Sequence, residues 1–420
     1  ILACGKAIDQ KRLDGWVVVG ELSLAGEIRP VRGVLAVAEM ARDQGMAGVI
    51  CAAENAAEVA VVPGVEVRAA STLGEVIEFL QFGGWATDHA APGRSAVVRD
   101  LCWSDVRGQD VAKRAMEIAA AGGHNVVLAG TPGTGKTMLA RRLPTILPNL
   151  TPAEALTATK VWSVAGLLPS GSGLLRERPF RAPHHTGSAC SLVGGGSTPR
   201  PGEVTLAHGG VLFLDELLEF PRSVLETLRQ PLEDGHITIA RTRQVIRFPA
   251  RFMLIAALNP CPCGFRGSRE HSCRCSLAAL ERYRGRLSGP VLDRIDIQVE
   301  LDPLPPRLLR GGPVGSDSAT VRQRVEAARH RQSLRFAALG GGNNATVPMR
   351  RLRELCPLAG RVHDLLLRAI EHYGLSPRAH DRIWRVAATI ADLEGCDAVG
   401  SEHVAEALQY RHFDEPARCD

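Results

Sequence analysis

The chain is poor in aromatic residues and has no long apolar run. Phe, Trp and Tyr make up 4% of its 420 residues, so Val, Leu, Ile and Ala must form the core. No stretch of about 18 consecutive apolar residues occurs, which predicts that no helix spans a membrane. The formal net charge of +5 is small for this length, and it permits contact with nucleic acid without requiring it.

The dense and even cysteine spacing of a disulfide framework is also missing. Of eleven cysteines, four lie between Cys261 and Cys275 and the others are scattered, which predicts a reducing, cytoplasmic compartment. No signal peptide is visible. Because the chain begins at Ile1 rather than Met, with the pattern of the middle of a domain, we expect an N-terminally truncated fragment.

Composition and hydrophobic periodicity divide the chain into five predicted regions. Residues 1–82 alternate short β-like runs with helical patterns, as an α/β or α+β domain does, and 83–99 form a linker rich in Gly, Pro and Ala. Residues 100–305 alternate continuous apolar strands with helices, which predicts an α/β core with a parallel sheet and helices on both faces. Residues 306–346 are a predicted linker with loop and helix, and 347–420 a small helical domain.

The central region contains a stretch that is typical of phosphate binding. "GTPGTGKT" matches the pattern G-x-x-x-x-G-K-[ST], with a predicted strand (Asn125–Ala129) before it and a predicted helix (Lys136–Leu147) after it. Glycines let backbone N–H groups turn toward phosphates, and the following helix presents its positive end to them. The predicted nucleotide ligands are therefore Gly130, Thr131, Pro132, Gly133, Thr134, Gly135, Lys136 and Thr137. Lys136 would reach the β- and γ-phosphates of ATP and Thr137 would reach Mg²⁺. A Gly-rich turn that fits by chance is the alternative.

Two further strands end in polar residues that suit the same chemistry. After the predicted strand Val211–Leu214, Asp215 would hold Mg²⁺ and Glu216 would activate the attacking water. After the predicted strand Phe252–Leu258, Asn259 would position that water. Solvated turn residues are the alternative for the two acids, and Asn-Pro also simply ends strands.

Several long stretches resemble one known family. These are "DVRGQDVAKRAMEIAAAGGHNVVLAGTPGTGKT", "RPFRAPHHTGSACSLVGGGSTPRPGEVTLAHGGVLFLDE", "LNPCPCG", "RYRGRLSGPVLDRID" and "LSPRAHDRIWRVAATIADLEG". They resemble the AAA+ ATPases of the magnesium-chelatase type, and within them the YifB/ComM group. The resemblance covers almost the whole chain. It implies a homo-hexameric ring motor that acts as a helicase on single-stranded or branched DNA, with recombination proteins as further partners. Such motors drive branch migration, notably during natural transformation.

The resemblance also implies further residues of the ATP site. In AAA+ rings ATP lies between subunits, and Arg294 matches the arginine finger that the neighbour supplies. Arg378 matches the sensor-2 arginine of the helical lid. The segment with Val106, Gly108 and Gln109 matches the one beside the adenine. An ordinary surface salt bridge is the alternative for each arginine.

Four cysteines and a basic hairpin are further candidates. Cys261, Cys263, Cys273 and Cys275 form a C-x-C…C-x-C pattern that suits a structural, four-coordinate Zn²⁺, with reduced loop thiols as the alternative. "ITIARTRQVIRFPARF" reads as a β-hairpin, and chelatase-like and MCM-like proteins share a hairpin at this place. Its Arg241, Arg243 and Arg247 would bind DNA phosphates, with a solvated charged hairpin as the alternative. The insert with His184 and His185 is predicted to be a second pore element.

The N-terminal region resembles the Lon-protease-type domain. The resemblance is carried by "VVVGELSLAGEIRPVRGVLAVAEMARDQGMAGVICAAEN". Lon proteases use a Ser–Lys dyad, and this chain has Leu35 where the lysine would fall. A chain without that lysine cannot supply the base, so we expect a Lon-like fold without proteolysis that stabilises a ring or binds a partner.

Three functions compete with a DNA-translocating ATPase. One is a magnesium-chelatase-like motor that acts on a protein partner or in metal insertion, because both classes use the same ATPase core. The second is a relative of ATP-dependent proteases, which Leu35 disfavours. The third is a scaffold that binds nucleotide without hydrolysis, which the combined presence of Lys136, Glu216 and Arg294 disfavours.

Overall fold

The computed structural model describes residues 8–83, 101–169, 171–196, 199–241, 244–268, 271–286, 291, 293–305 and 315–411. Its packing separates two compact units. The first comprises residues 1–99, 150–177 and 196–201, and the second 100–149, 178–195 and 202–420. Residues 150–177, which the sequence pattern assigns to the central region, thus pack with the first unit; the predicted domain boundaries stay predictions. None of the helices described is both long and apolar enough to cross a membrane.

The first unit contains a small parallel sheet with helices packed on it. Its strands follow the order Trp16–Val19, Gly48–Ala52 and Glu66–Ala70. The central strand is buried along its whole length, as expected for a strand covered on both faces. A short antiparallel pair joins Glu21–Leu22 to Ile28–Arg29. The helices of this unit are Val34–Asp43, Ala56–Val59, Leu73–Phe82 and Pro152–Ala165.

The second unit is built on a five-stranded sheet in which all pairs are parallel. Its strands lie in the order Ile297–Leu301, Val126–Gly130, Met253–Leu258, Val211–Leu214 and Phe180–Arg181. Side chains alternate between the two faces, so Val126 and Leu128 join one buried cluster while Val127 and Ala129 join another. This sheet confirms the predicted α/β class, because both of its faces are covered.

Helices surround this sheet and continue into a helical C-terminal part. Those that pack around the sheet are Asp110–Gly122, Lys136–Ile146, Ala189–Val193, Glu203–Leu206, Arg222–Glu226, Arg229–Asp234, Leu277–Arg284 and Ser318–Arg335. The C-terminal helices are Met349–Leu355, Gly360–Tyr373, Pro377–Glu394 and Ser401–Leu408, as the helical pattern predicts. His236–Arg241 and Gln244–Pro249 form the predicted antiparallel hairpin.

One predicted helix is wrong in its extent. The apolar pattern predicts a single helix over Ser223–Glu233, whereas the structure has two short helices that are separated near Thr227. Pro231 explains the break, because a proline lacks the N–H that would bond to the carbonyl four residues earlier, and its ring clashes with that carbonyl.

A buried ionic network joins the sheet to the helical part. The Asp296 carboxylate lies 2.7 Å from Nη1 of Arg382 and 3.3 Å from Nδ1 of His124, and it accepts the Asn125 N–H at 3.2 Å. Burial by itself would raise the pKa of this carboxyl, but Arg382 and His124 outweigh burial and hold the pKa well below its usual range. A paired buried charge of this kind fixes how the strand Ile297–Leu301 meets the helix Pro377–Glu394.

Candidate functional site

The phosphate loop connects the strand Val126–Gly130 to the helix that begins at Lys136. Gly133 and Gly135 have φ values of +84° and +97°, in the left-handed region that favours glycine. A Cβ at either position would have no heavy atom within 4 Å, so the backbone conformation rather than space requires these glycines. An open cradle of this shape before a helix N-terminus fits the phosphates of a nucleotide.

Lys136 is almost completely buried at the start of that helix. Its Nζ donates to the carbonyls of Gly130 at 2.6 Å and Thr131 at 2.9 Å, and to Oδ1 of Asn259 at 3.3 Å. Burial lowers the pKa of this ammonium group, while the nearby carboxylates of Asp215 and Glu216 oppose the shift. A desolvated cation among oxygens is suited to exchange carbonyl contacts for phosphate contacts.

The predicted magnesium residues meet at the carboxyl edge of the sheet. Oγ1 of Thr137 donates to Oδ2 of Asp215 at 2.9 Å. Asp215 follows the strand Val211–Leu214, and Asn259 follows its parallel neighbour Met253–Leu258, so both leave the sheet at the same edge. Hydroxyl and carboxylate oxygens are the ligands that Mg²⁺ prefers, so this pair fits the ion.

The structure also brings the predicted adenine-side segment to the phosphate loop. Nε2 of Gln109 donates to the carbonyl of Thr134 at 3.1 Å. Gln109 has a φ of +56° and follows Gly108 at +55°, while Val106 is buried. This segment thus borders the loop where the nucleotide base would extend.

Glu216 has a partner that the sequence did not indicate. It adopts a left-handed conformation at φ +53°, and its N–H donates to Oδ1 of Asp215 at 3.1 Å. Oε2 of Glu216 lies 3.2 Å from Nδ1 of His185. The sequence pattern does not predict this contact, because His185 follows a strand of only two residues, Phe180–Arg181, which pairs with Val211–Leu212.

The two predicted arginines lie at the opposite end of the sheet from the phosphate loop. The Arg294 carbonyl accepts a hydrogen bond from the side chain of Asn125, which directly precedes the strand Val126–Gly130. Arg378 pairs with Asp293 close by. The five residues of the strand Val126–Gly130 span about 16 Å, and the phosphate loop follows its other end. Neither arginine is therefore brought to the phosphate loop of its own chain.

A groove lined by residues of both charges adjoins Arg378. Its volume is about 710 Å³, and its lining includes Arg251, Arg378, Arg382 and Arg385 with the acids Glu233, Asp234, Asp296 and Asp381. Burial lowers the pKa of Arg294, which pairs with Glu233, and the nearby cations Arg229, Arg378 and Arg382 lower it further. The four arginines of the lining are balanced by four acids, so the lining carries no formal net charge.

The four cysteines converge as their spacing predicts. Sγ of Cys261 lies 3.3 Å from Sγ of Cys263 and 3.7 Å from Sγ of Cys273, and all four ligand atoms lie within 4.8 Å of one another. A tetrahedral site with Zn–S bonds of 2.3 Å needs sulfur atoms about 3.8 Å apart, so the cluster fits zinc. In the same loop Gly264 packs on the phosphate loop, because a Cβ there would lie 2.8 Å from Cγ of Pro132.

Of the three arginines predicted on the hairpin, only Arg247 has a side chain among the described residues. Arg247 is exposed, and its Nη2 lies 2.9 Å from Nδ1 of His236. Arg243 and the side chain of Arg241 lie outside the described residues, so their predicted DNA contacts stay predictions.

The phosphate loop, the acid after the strand Val211–Leu214 and the α/β sheet together define a P-loop ATPase core of the AAA+ class. Three family profiles match the chain: "Magnesium chelatase, subunit ChlI" over residues 102–308, its C-terminal counterpart over 315–411, and "Subunit ChlI of Mg-chelatase" over 1–55.

Two curated relatives match nearly the whole chain. Protein YifB of Escherichia coli is 43% identical over 419 residues, which cover 99% of this chain and 80% of the relative. Competence protein ComM of Haemophilus influenzae is 42% identical over 98% of this chain and 80% of its own length. The magnesium-chelatase 67 kDa subunit of Chlorobaculum tepidum is 27% identical over 38% of this chain and 23% of its own length. The chain therefore belongs to the YifB/ComM family of magnesium-chelatase-like AAA+ ATPases.

Proposed function

We propose that this chain is a homo-hexameric motor that hydrolyses ATP to translocate on single-stranded or branched DNA. It would promote branch migration in recombination or natural transformation, together with recombination proteins of the cytoplasm. The observation that carries the motor is the meeting of Lys136, Thr137, Asp215 and Asn259 at one sheet edge. The DNA substrate is supported by the name of the competence relative.

In this proposal each residue at the sheet edge has one task. Lys136 binds the β- and γ-phosphates, and Thr137 and Asp215 hold Mg²⁺. The bound ion would supply positive charge at the phosphates. Glu216 accepts a proton from the attacking water, and Asn259 orients that water.

The neighbouring subunit supplies Arg294 and Arg378. Because both lie about a strand's length from their own phosphate loop, they are available to the loop of another chain. A guanidinium from a neighbour stabilises charge that develops on the transferred phosphoryl group. In related enzymes this raises kcat by a factor on the order of 10³–10⁵. Each ATP site would then belong to two chains.

The remaining features would serve the ring and the DNA. Arg241, Arg243 and Arg247 would bind phosphates of the strand, and zinc bound by the four cysteines would stabilise the loop after Asn259. The N-terminal region would be a Lon-like domain without proteolysis, because Leu35 is a buried apolar residue of the helix Val34–Asp43. That domain would stabilise the ring or bind a partner.

The test is steady-state ATP turnover in a verified hexamer, with and without single-stranded and forked DNA. We expect DNA to stimulate turnover, and we expect the stimulation to disappear when Arg241, Arg243 and Arg247 are changed to alanine. Turnover that is indifferent to DNA would favour a chelatase-like motor acting on a protein or metal, which the chelatase profiles make the second candidate.

A further inference from the structure

One side-chain amide braces the phosphate loop from the segment that precedes it. Nε2 of Gln109 donates to the carbonyl of Thr134 at 3.1 Å and to the carbonyl of Asp302 at 2.7 Å. A primary amide nitrogen carries two hydrogens, so this one atom can make both bonds at once. Asp302 directly follows the strand Ile297–Leu301, which pairs with the strand Val126–Gly130 that leads into the loop. Gln109 therefore ties the loop to the neighbouring strand of the sheet.

The backbone directs this side chain to the loop at a cost in conformational energy. Gln109 has a φ of +56°, in the left-handed region that residues other than glycine avoid. Only one other non-glycine residue in the part of the chain that the structure describes has a positive φ. Gln109 is the N-cap of the helix Asp110–Gly122, yet its side chain makes no capping bond to that helix. Unusual backbone conformations that are held by contacts to another element occur often at functional sites.

The bond to Thr134 sets the direction of the next backbone N–H. In a trans peptide the carbonyl and the N–H that follows it point in opposite directions. Because the carbonyl of Thr134 faces Gln109, the N–H of Gly135 faces away from Gln109. No hydrogen bond among the described residues uses that N–H as its donor. Gly135 directly precedes the helix that begins at Lys136, and N–H groups at such a position bind phosphate.

This peptide plane needs a partner from outside the loop to keep its direction. Gly135 has a φ of +97°, and a Cβ there would have no heavy atom within 4 Å, so neither a side chain nor a neighbour restricts the plane. The residue before it is held, because Thr134 is almost completely buried and its hydroxyl donates to the Thr131 carbonyl at 2.9 Å. A flipped plane would present a carbonyl oxygen, rather than an N–H, to the phosphates.

We propose that Gln109 is a positioning residue that locks the peptide plane between Thr134 and Gly135 with its N–H toward the phosphates of ATP. Gln109 acts on the triphosphate through the loop and not on the nucleobase. The inference rests on the proposed function, because it needs the phosphate loop to hold a nucleotide. A ligand that has phosphates but no base should therefore depend on Gln109 as much as ATP does.

The test measures equilibrium binding of ATP and of inorganic tripolyphosphate, each with Mg²⁺, to the full chain and its variants. Gln109→Met keeps the length of the side chain but has no N–H to donate. We expect it to weaken the binding of both ligands by the same factor of about tenfold, the effect of losing one hydrogen bond. Gln109→Asn keeps the amide on a side chain that is one carbon shorter, so its affinities should lie between those of Gln109→Met and wild type.

Gln332→Met is the matched control. Gln332 is buried in the same unit, and it donates to the Ala121 carbonyl at 3.3 Å and accepts the Asn344 N–H at 3.1 Å. Its loss leaves these backbone groups without their partner, so thermal stability should fall. Both affinities should stay at the wild-type value, which separates a loss of stability from a loss of phosphate binding.

The two ligands separate the outcomes. Equal losses for ATP and tripolyphosphate in Gln109→Met, with wild-type affinities in Gln332→Met, support the lock. A loss for ATP alone would place Gln109 at the base and overturn the lock, and so would unchanged affinities or equal losses in both methionine variants. Wild type that binds ATP but not tripolyphosphate would overturn the lock and leave ATP binding intact. Wild type that binds neither ligand would overturn the proposed function, and the lock with it.

Discussion

Glu216 follows Asp215, the proposed magnesium ligand, by one position, yet the two side chains contact different partners. Asp215 contacts Thr137, and Glu216 contacts His185. Replacing Glu216 by Gln therefore leaves the residues that are proposed to hold nucleotide and Mg²⁺ in place. We expect Glu216→Gln to bind ATP with wild-type affinity and to lose turnover by about 10²–10⁴-fold, the usual contribution of a general base. Equilibrium ATP binding and steady-state turnover measure the two effects.

Glu219→Gln is the matched control for that change. Glu219 lies three residues further on and pairs with Arg286 at 3.0 Å on the surface. An exposed pair contributes little to stability, so turnover stays near wild type. Normal turnover in Glu216→Gln would show that another group activates the water.

Gly264 and Gly267 form a natural pair for testing how the cysteine loop supports the phosphate loop. Their φ values are +82° and +81°, so alanine brings similar backbone strain at each. Only at Gly264 would the new Cβ meet Pro132, at 2.8 Å from its Cγ. We expect both variants to lose similar thermal stability, but only Gly264→Ala to raise the KM for ATP, by several-fold. Equal KM values in the two variants would show that this contact does not affect the nucleotide.

Among individual residues, the sequence predicts best those that belong to a motif with a fixed backbone conformation. The phosphate loop fixes its eight residues because backbone conformation, charge and a hydroxyl are all required within one turn. The contact between His185 and Glu216 was not predicted, because it depends on a two-residue strand that pairs with a segment about thirty residues away. Side-chain pairs that only tertiary structure creates leave no periodic signal.

Among the elements, the cysteine loop gives the sharpest prediction. We expect the purified chain to contain about one zinc ion. Changing Cys263 and Cys273 to serine should remove the metal and raise the KM for ATP, because the loop that they hold packs on Pro132. Metal analysis and turnover measure both effects. Cys190→Ser, an exposed cysteine elsewhere, is the control and should keep the metal. A metal-free chain with normal turnover would contradict the zinc site.

Element boundaries followed the sequence closely where the hydrophobic period was clear. The strand Val211–Leu214 occurs with the predicted bounds. The pattern failed at Ser223–Glu233, where one proline outweighs an apolar periodicity. It also gave no sign that the helix Pro152–Ala165 packs with the first unit, because an apolar face does not identify its partner.

Within the second unit as a whole, Asp296 links stability to pH. Its pKa is held low in the folded protein, so it stabilises the fold fully above its unfolded value of about 4 and loses that effect as the pH falls below it. We expect Asp296→Asn to lower the free energy of unfolding by about 3–5 kcal/mol near pH 7, because it leaves the charge of Arg382 unpaired. The difference from wild type should shrink below about pH 4.

Chemical unfolding over a series of pH values measures this effect. Asp397→Asn is the control, since Asp397 pairs with Arg331 and its side chain is 98% exposed. It should change stability little at any pH. A difference between Asp296→Asn and wild type that stayed constant from pH 7 to pH 3 would contradict the ionic role.

For the assembled molecule, shared sites predict complementation between inactive chains. Lys136→Ala removes the proposed phosphate contact, and Arg294→Ala removes the proposed contribution to a neighbour. Each variant alone should be inactive, whereas an equal mixture should regain roughly a quarter of the wild-type sites, because one junction in four joins an intact loop to an intact arginine. Turnover of subunits mixed before assembly measures this. A mixture that stays inactive would place both residues in the same chain's site.

The separation of the two arginines from their own phosphate loop has a consequence for heredity. A cell that carries one normal and one defective copy of the gene would build mixed rings. Each chain altered at Arg294 would then withhold its arginine from a healthy neighbour's site, while its own loop could still be completed by a healthy chain. We expect alleles that alter Arg294 to disable sites on normal chains within mixed rings, whereas alleles that prevent folding should leave the sites of normal chains intact.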